Sequence, residues 1–481
     1  MRGFYKLLDI NMDRFLDTVK SDNELLRNGD YYKILAKAKA FVRNEQIANA
    51  VKDTAETYCG NIIPAEGHSE SIAAFNEWAE TAGLQSRQSL GELNTEIVSV
   101  LTWGDCLVVL GRNPYALPGT ISAAVKIIDP LCVQTPPKYL NKDLVGGKKV
   151  ILGVVLDEND IELGYYVRKA GTDGSKDEHY EYLPCYDSKT GRFVSALIRR
   201  PGSYFPGQTR GFPMLLSSLF SVNAISKLSE FSVREANTKS LFGVWIETDA
   251  KPDGVTGLGV DPAIFDMKTG RKLTENAGEG KEKEEVKVNI SDLSSGTAPV
   301  MRPGTKVHTI ANDGNLDITK GIKEQEKLIA GSVGIPYHVM KRDFEGINFS
   351  AGKLEIDALF RKFDLWNYGP LQRVFNEIFK WVVIEYWLLQ KVLPVKEYWK
   401  CTWIGPKRPD PDPLKSAKAN KINVDNLFEA RGDVIGSNGN DTEELFKQIA
   451  RENALLEKYG LKVVGSEKNN EASDDDMEDE E

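Results

Sequence analysis

The sequence predicts an α+β fold with helices and strands segregated along the chain. Three observations carry this. Apolar residues recur at helical spacing through residues 23–101. Short β-branched runs replace them from 105 to about 193. Helical periodicity then returns twice, on either side of a long turn-rich insertion.

The first helical stretch spans residues 23–59, where Tyr32, Ile34, Leu35, Ala38, Phe41 and Val42 recur at mostly three- and four-residue spacings; Gly60 is its expected stop. Further helices are expected over 72–82 and 90–101. The β region follows with runs at 107–110, 125–128, 150–155 and 165–167, separated by turn-formers such as Gly146-Gly147 and read as antiparallel. Residues 212–241 form the next helix, with Phe212, Leu215, Leu219, Val222, Ile225 and Leu228 on one stripe and Pro213 suited to its first turn. The insertion runs to about 313 and includes the mixed-charge run 281–285. A helix over 317–333 ends at Gly334 and Pro336, and a loop is expected over 337–349. A long helical segment then covers 351–392, with a break or kink at Gly369-Pro370. Small helices are expected at 414–420, 426–431 and 442–459, the last capped by Thr442 or Asp441.

Composition narrows the function. Of 481 residues, 41% are hydrophobic and 27% charged, as in soluble globular proteins. The most apolar stretch, 378–389, is short for a bilayer and contains Lys380 and Glu385, so no membrane association is expected. Five scattered cysteines fit a reduced, intracellular chain, and the four histidines lack metal-ligand spacing, so no metal is expected. Residues 471–481 hold eight acids and no base; removing these charges from the formal net of −10 leaves −2. The body is therefore near neutral, without the basic excess of a protein that grips nucleic acid by neutralising phosphates. Residues 466–481 are expected to be disordered, because they bury too little apolar surface to offset the entropy of ordering.

Catalytic signatures are missing. No G-x-x-x-x-G-K-[ST], G-x-S-x-G or H-E-x-x-H string occurs. Acids such as Asp105 and Asp157 are expected in solvated or capping roles. No catalytic residue and no cofactor are assigned, and the chain is read as a non-enzyme.

Four blocks point to a family. Arg200-Pro201 precedes Pro206-Gly207-Gln208-Thr209-Arg210-Gly211-Phe212-Pro213. Downstream come Gly334-Ile335-Pro336-Tyr337, Asp343 and Asn348-Phe349-Ser350-Ala351-Gly352-Lys353. Trp403-Ile404-Gly405-Pro406 follows, with Asp412-Pro413-Leu414-Lys415-Ser416-Ala417-Lys418-Ala419. Gly432-Asp433 and residues 452–461 close the series, and Val42-Arg43-Asn44 with Trp103-Gly104-Asp105 precede it. In this order the blocks resemble the lambda-like family of tailed-phage portal proteins over about residues 20–465. The family usually has Tyr and Ser-Ser-Ala-Arg where this chain has Phe349 and Ser350-Ala351-Gly352-Lys353. Lysine lacks the planar two-pronged donor set of arginine, so no specific contact is carried to Lys353.

The resemblance implies a portal fold with helical stem, α/β wing, β-rich clip and helical crown, closing into a ring of about twelve subunits through one repeated interface. It divides the chain into the N-terminal wing (1–211), first stem helix (212–241), clip (242–316), second stem helix (317–335), tunnel-facing loop (336–350), long wing helix and C-terminal wing (351–400), crown (401–465) and tail (466–481). Lys341, Arg342 and Asn348 become candidates for facing the tunnel and its DNA. Pro206, Gly207, Gln208, Arg210, Gly211, Pro336, Asp343, Ser350, Trp403, Asp412, Pro413 and Lys415 become structural motif residues. The implied partners are double-stranded DNA in transit, the terminase large subunit, major capsid and scaffold proteins, and head–tail adaptor or neck proteins. The implied location is the capsid portal vertex of the virion, after assembly in the host bacterial cytoplasm. Two other classes stay open from the residues alone: a capsid or neck protein without a DNA channel, and an enzyme.

Overall fold

A computed structural model describes residues 30–65, 67–140, 147–169, 179–203, 206–241, 318–392, 396–407, 413–438 and 440–461. The expectations for the insertion at 242–316, for Asp412 and for the acidic tail lie outside the described residues. The chain divides into two compact units, residues 1–219 with 330–481, and residues 220–329.

The first unit opens with α1 (Asp30–Asn44) and α2 (Gln46–Cys59). One helical stretch was expected here. It is split at Glu45, whose φ of −104° and ψ of 124° are extended rather than helical. β1 (Ile63–Ala65), α3 (Ser69–Ala79) and α4 (Leu90–Trp103) follow. Ser89 and Glu92 form a reciprocal capping box that starts α4.

Two antiparallel sheets come next. β2 (Cys106–Arg112) is central between β3 (Ala123–Ile128) and β8 (Ser195–Ile198). The second sheet runs β4 (Lys149–Ile151), β5 (Val154–Leu156), β6 (Glu162–Lys169), β7 (His179–Pro184). The run 150–155 is not one strand but a tight hairpin. Leu152 (φ 48°) and Gly153 (φ 86°) both adopt left-handed backbone, as two-residue hairpin turns demand. A Cβ on Gly153 would lie 2.7 Å from the Gln134 nitrogen, so only glycine fits. Strand β7, His-Tyr-Glu-Tyr-Leu-Pro, contains no β-branched residue, which hid it from pattern reading. Tyr31, Leu35, Leu107, Val133, Leu152, Val154, Tyr165 and Leu197 form one buried cluster joining α1 to both sheets.

Helix α5 (Leu219–Leu241) starts seven residues later than periodicity indicates. Residues before it are held in other ways: Phe212 N–H donates to the Ser203 carbonyl (2.8 Å) and Met214 N–H to that of Thr102 (2.8 Å). Pro213 therefore lies upstream of the helix, not in its first turn. Along the expected stripe Leu215, Leu219 and Val222 are buried, whereas Ile225 and Leu228 are half-buried.

Helix α6 (Ile318–Val333) ends at Gly334, whose φ is 63°. The expected loop at 337–349 begins instead with one helical turn, α7 (Tyr337–Lys341). Then α8 (Phe349–Trp366) and α9 (Gln372–Gln390) are joined by a π-helical turn, Asn367–Leu371, at the expected Gly369-Pro370 break. β9 (Thr402–Ile404) pairs antiparallel with β1. The chain continues as α10 (Pro413–Asp425), α11 (Arg431–Ser437) and α12 (Thr442–Lys458). The expected helix at 426–431 is not formed; α11 begins where it would end. Asp441 caps α12 by accepting from Glu444 N–H (2.9 Å). Among the described residues no helix is long and apolar enough to cross a membrane.

Candidate functional site

The Pro206–Gly211 block leads into a buried ion pair. Arg210 has no exposed surface, and neither does Asp105. Arg210 Nε and Nη2 donate to the two Asp105 oxygens at 2.6 and 2.8 Å. Nη1 donates to the carbonyls of Val133 (2.9 Å) and Leu152 (2.8 Å), and Nη2 also reaches that of Pro130 (3.0 Å). All five N–H groups of the guanidinium thus have acceptors. Burial alone lowers the guanidinium pKa, but the Asp105 carboxylate outweighs it and holds the group above its ordinary value.

The rest of the block orients this pair. Gly211 N–H donates to Asp105 Oδ2 (3.1 Å), and Tyr31 Oη donates to the Gly211 carbonyl (2.7 Å). The guanidinium carbon lies 5.0 Å from the Tyr31 ring centroid, a cation–π arrangement. Burial drives the Tyr31 phenol well above its usual pKa, with Arg210 pulling the other way. Gln208 Nε2 donates to the Arg210 carbonyl. Arg199 Nε donates to that of Thr209 (2.7 Å) and pairs with Glu162 (2.6 Å). Pro206 and Gly207 remain exposed, with φ of 83° at Gly207 making the turn. One arginine therefore joins α1, the end of α4, the residues after β3 and the β4–β5 turn. It also engages the carbonyl of left-handed Leu152.

This corrects the expectation for Asp105, which is neither solvated nor a cap. A buried arginine with five donors requires a buried carboxylate, and Asp105 supplies it. Asp157 does act in a turn, accepting from Asn159 and Ile161 N–H at 2.8 and 2.7 Å.

Trp403 is the second anchor. Its indole N–H donates to Asn376 Oδ1 (2.6 Å), and its ring packs among Phe75, Phe375 and Phe379. Gly405 N–H donates to Tyr368 Oη (3.0 Å) in the π-helical turn. In that turn buried Asn367 clamps Cys59, donating to its carbonyl (2.8 Å) and accepting from its thiol (3.0 Å). Sequence reading missed Asn367, whose only signal was its place beside the Gly-Pro break. It also missed Glu385, which accepts from Ser122 N–H (2.7 Å) and Ala123 N–H (3.2 Å) at the start of β3.

The 336–350 segment holds the tunnel candidates. Pro336 precedes α7, and Lys341 and Arg342 are exposed at its end. Arg342 has φ of 55°, the left-handed C-terminal position that glycine usually fills. His338 Nδ1 bonds the Asp343 carbonyl (2.8 Å), closing the turn. Asn348 Oδ1 caps α8 by accepting from Ala351 N–H (2.8 Å). Ser350 lies in the first turn of α8. Lys362, on α8, donates to the last carbonyl of α6, at Val333. Burial, with help from nearby Arg200, lowers its pKa to about 8. Pro413 and Lys415 open α10, exposed. All five cysteines are free, and no cluster of potential metal ligands occurs among the described residues.

Comparison with known proteins follows from these landmarks. The chain is 23% identical over 374 residues to the probable portal protein of Halomonas phage phiHAP-1, covering 74% of this chain and 64% of that protein. It is 22% identical over 354 residues to portal protein B of Escherichia phage lambda, covering 68% of this chain and 63% of that protein. The alignments thus span less than two thirds of either relative. Among solved structures, a chain from the neck of a native gene transfer agent particle, computed with C12 symmetry, superposes with a TM-score of 0.40 at 14% identity, covering 83% of this chain and 92% of that one. The sequence profile of the phage portal protein, lambda family, matches residues 12–366, and by that match the chain belongs to this family.

Proposed function

We propose that copies of this chain close into the ring at one capsid vertex of a tailed phage, through which double-stranded DNA is packaged and ejected. The observation that carries this reading is the lambda-family portal match across residues 12–366. The order helix, insertion, helix supports it, with α5 and α6 as stem helices, 242–316 as clip, 336–350 as tunnel loop, 351–400 as long wing helix and 401–465 as crown. The ring, of about twelve subunits, offers one repeated face to the terminase large subunit and later to neck proteins. Capsid and scaffold proteins surround it at the vertex, after assembly in the bacterial cytoplasm.

The role is architectural. A conduit must let duplex DNA slide, and a near-neutral body avoids the tight phosphate neutralisation that would hold it. Lys341 and Arg342 provide brief phosphate contact, and Asn348 is a third candidate of the same loop. The Arg210 clamp fixes the body from which the first stem helix leaves.

End-on electron microscopy of the purified full chain tests this. Closed rings with a hole wide enough for duplex DNA are expected. Rings without such a hole favour another virion structural protein, and strictly monomeric particles at micromolar concentration across a range of salt refute the assignment.

A further inference from the structure

The three C-terminal helices have no core of their own. Among the described residues of 413–461 none is buried. Leu427 is 91% exposed, Phe428 79% and Tyr459 68%. Helices of 13, 7 and 17 residues are marginal without packing. On α12, Leu445 and Leu456 are half-buried, while Phe446, Ile449 and Tyr459 continue the same stripe into open space. The stripe is wider than the described residues cover.

Charge says what covers it. α10 carries Lys415, Lys418 and Lys421 at spacings of three, against the single acid Asp425. Residues 429–444 carry Glu429, Asp433, Asp441, Glu443 and Glu444 against the single base Arg431. Lys418, Lys421, Asp433 and Glu444 are exposed and, among the described residues, make no ion pair. One chain thus presents a basic helix and an acidic cluster at the N-terminal ends of α11 and α12, while farther along α12 Lys447, Arg451 and Lys458 offset Glu452 and Glu457. A head-to-tail contact between identical subunits requires two such different, complementary faces.

We propose that α10 of one copy docks on the α11–α12 pair of the next. Lys418 and Lys421 face Asp433 and Glu444 across a seam of Leu427, Phe428, Phe446 and Tyr459. The inference rests on the ring reading above and names the contact that closes each step of it. Acids in the first turns of α11 and α12 also suit the helix dipole. That effect alone makes their reversal unfavourable in every background, so rescue is decisive.

The test uses the full chain and two charge-reversed variants, K418E/K421E and D433K/E444K. Each is sized by light scattering at low and high salt, with helix content checked by circular dichroism. Each variant alone is expected to lose most of its rings at low salt, because like charges then meet at every contact. High salt should relieve the loss by screening. Mixing the two variants, or combining all four substitutions in one chain, should restore rings, because opposite charges meet again. Variants that form rings as readily as the parent, or a quadruple variant that stays dissociated, overturn the contact and leave the ring reading intact. A parent that never forms rings removes both.

Discussion

Replacing Asp105 by asparagine keeps the side-chain shape and deletes the charge facing Arg210. The amide can still accept one guanidinium N–H. With the oxygen kept where Arg210 Nε–H and Gly211 N–H converge, at 2.6 and 3.1 Å, the NH2 would meet Arg210 Nη2–H, now 2.8 Å from the other oxygen. Donors would face donors, and a fully buried arginine would lose its only carboxylate. Removing one partner of a buried pair costs about 3–5 kcal/mol. Losing two charge-assisted hydrogen bonds gives a similar sum, at about 1.5–3 kcal/mol each. At about 2 °C per kcal/mol, the lower end for large domains, the melting midpoint of D105N should fall by about 6–10 °C. Thermal unfolding of parent and variant, followed by circular dichroism under identical conditions, measures this. The drop should persist in 1 M salt, since screening acts mainly on exposed charges. A drop below about 2 °C, or one erased by salt, would show that the pair behaves like an exposed one, worth about 0–1 kcal/mol, and would refute the clamp. The double variant D105N/R210M should not recover the parent midpoint. It removes the stranded charge but takes the Arg210 donor from the Leu152 carbonyl, at about 1–3 kcal/mol, while the Pro130 and Val133 carbonyls keep only Val133 N–H and Tyr32 Oη, each at 3.2 Å.

Lys362→Met tests the lowered lysine pKa. With a folded pKa near 8 and an unfolded value near 10.5, the unfolded chain holds the proton between them and the folded chain does not. Parent stability relative to the variant should therefore rise as pH increases from 8 to 10.5; parallel pH profiles would contradict it. Gly153→Ala forces a Cβ into the Gln134 backbone at φ of 86°, so a loss of more than about 1 kcal/mol is expected in chemical denaturation. Trp403→Ala empties the aromatic cluster of Phe75, Phe375 and Phe379 and should cost about 3–5 kcal/mol, read as a lower midpoint. Trp403→Phe, which mainly loses the Asn376 bond, should cost clearly less.

Local chemistry was enough to read most helices and the antiparallel character of the β region. Gly334 ends α6 and Gly369-Pro370 interrupts the long helix, each acting within a few residues of its own backbone. The ordered motif blocks carried the family for the same reason: a series of short strings survives in one dimension. What the tertiary structure decided was pairing across long separations. Arg210 meets Asp105 over 105 residues, Tyr31 bonds Gly211 over 180, and Asn367 clamps Cys59 over 308. The late start of α5 has the same origin, since Ser203 and Thr102 carbonyls hold the residues that periodicity would have placed in the helix. The Pro206–Gly211 string was legible as a turn, but not as the source of a buried cation. A charge is tolerated in the interior only where the fold brings a carboxylate and enough carbonyls to it, and no local pattern encodes that meeting.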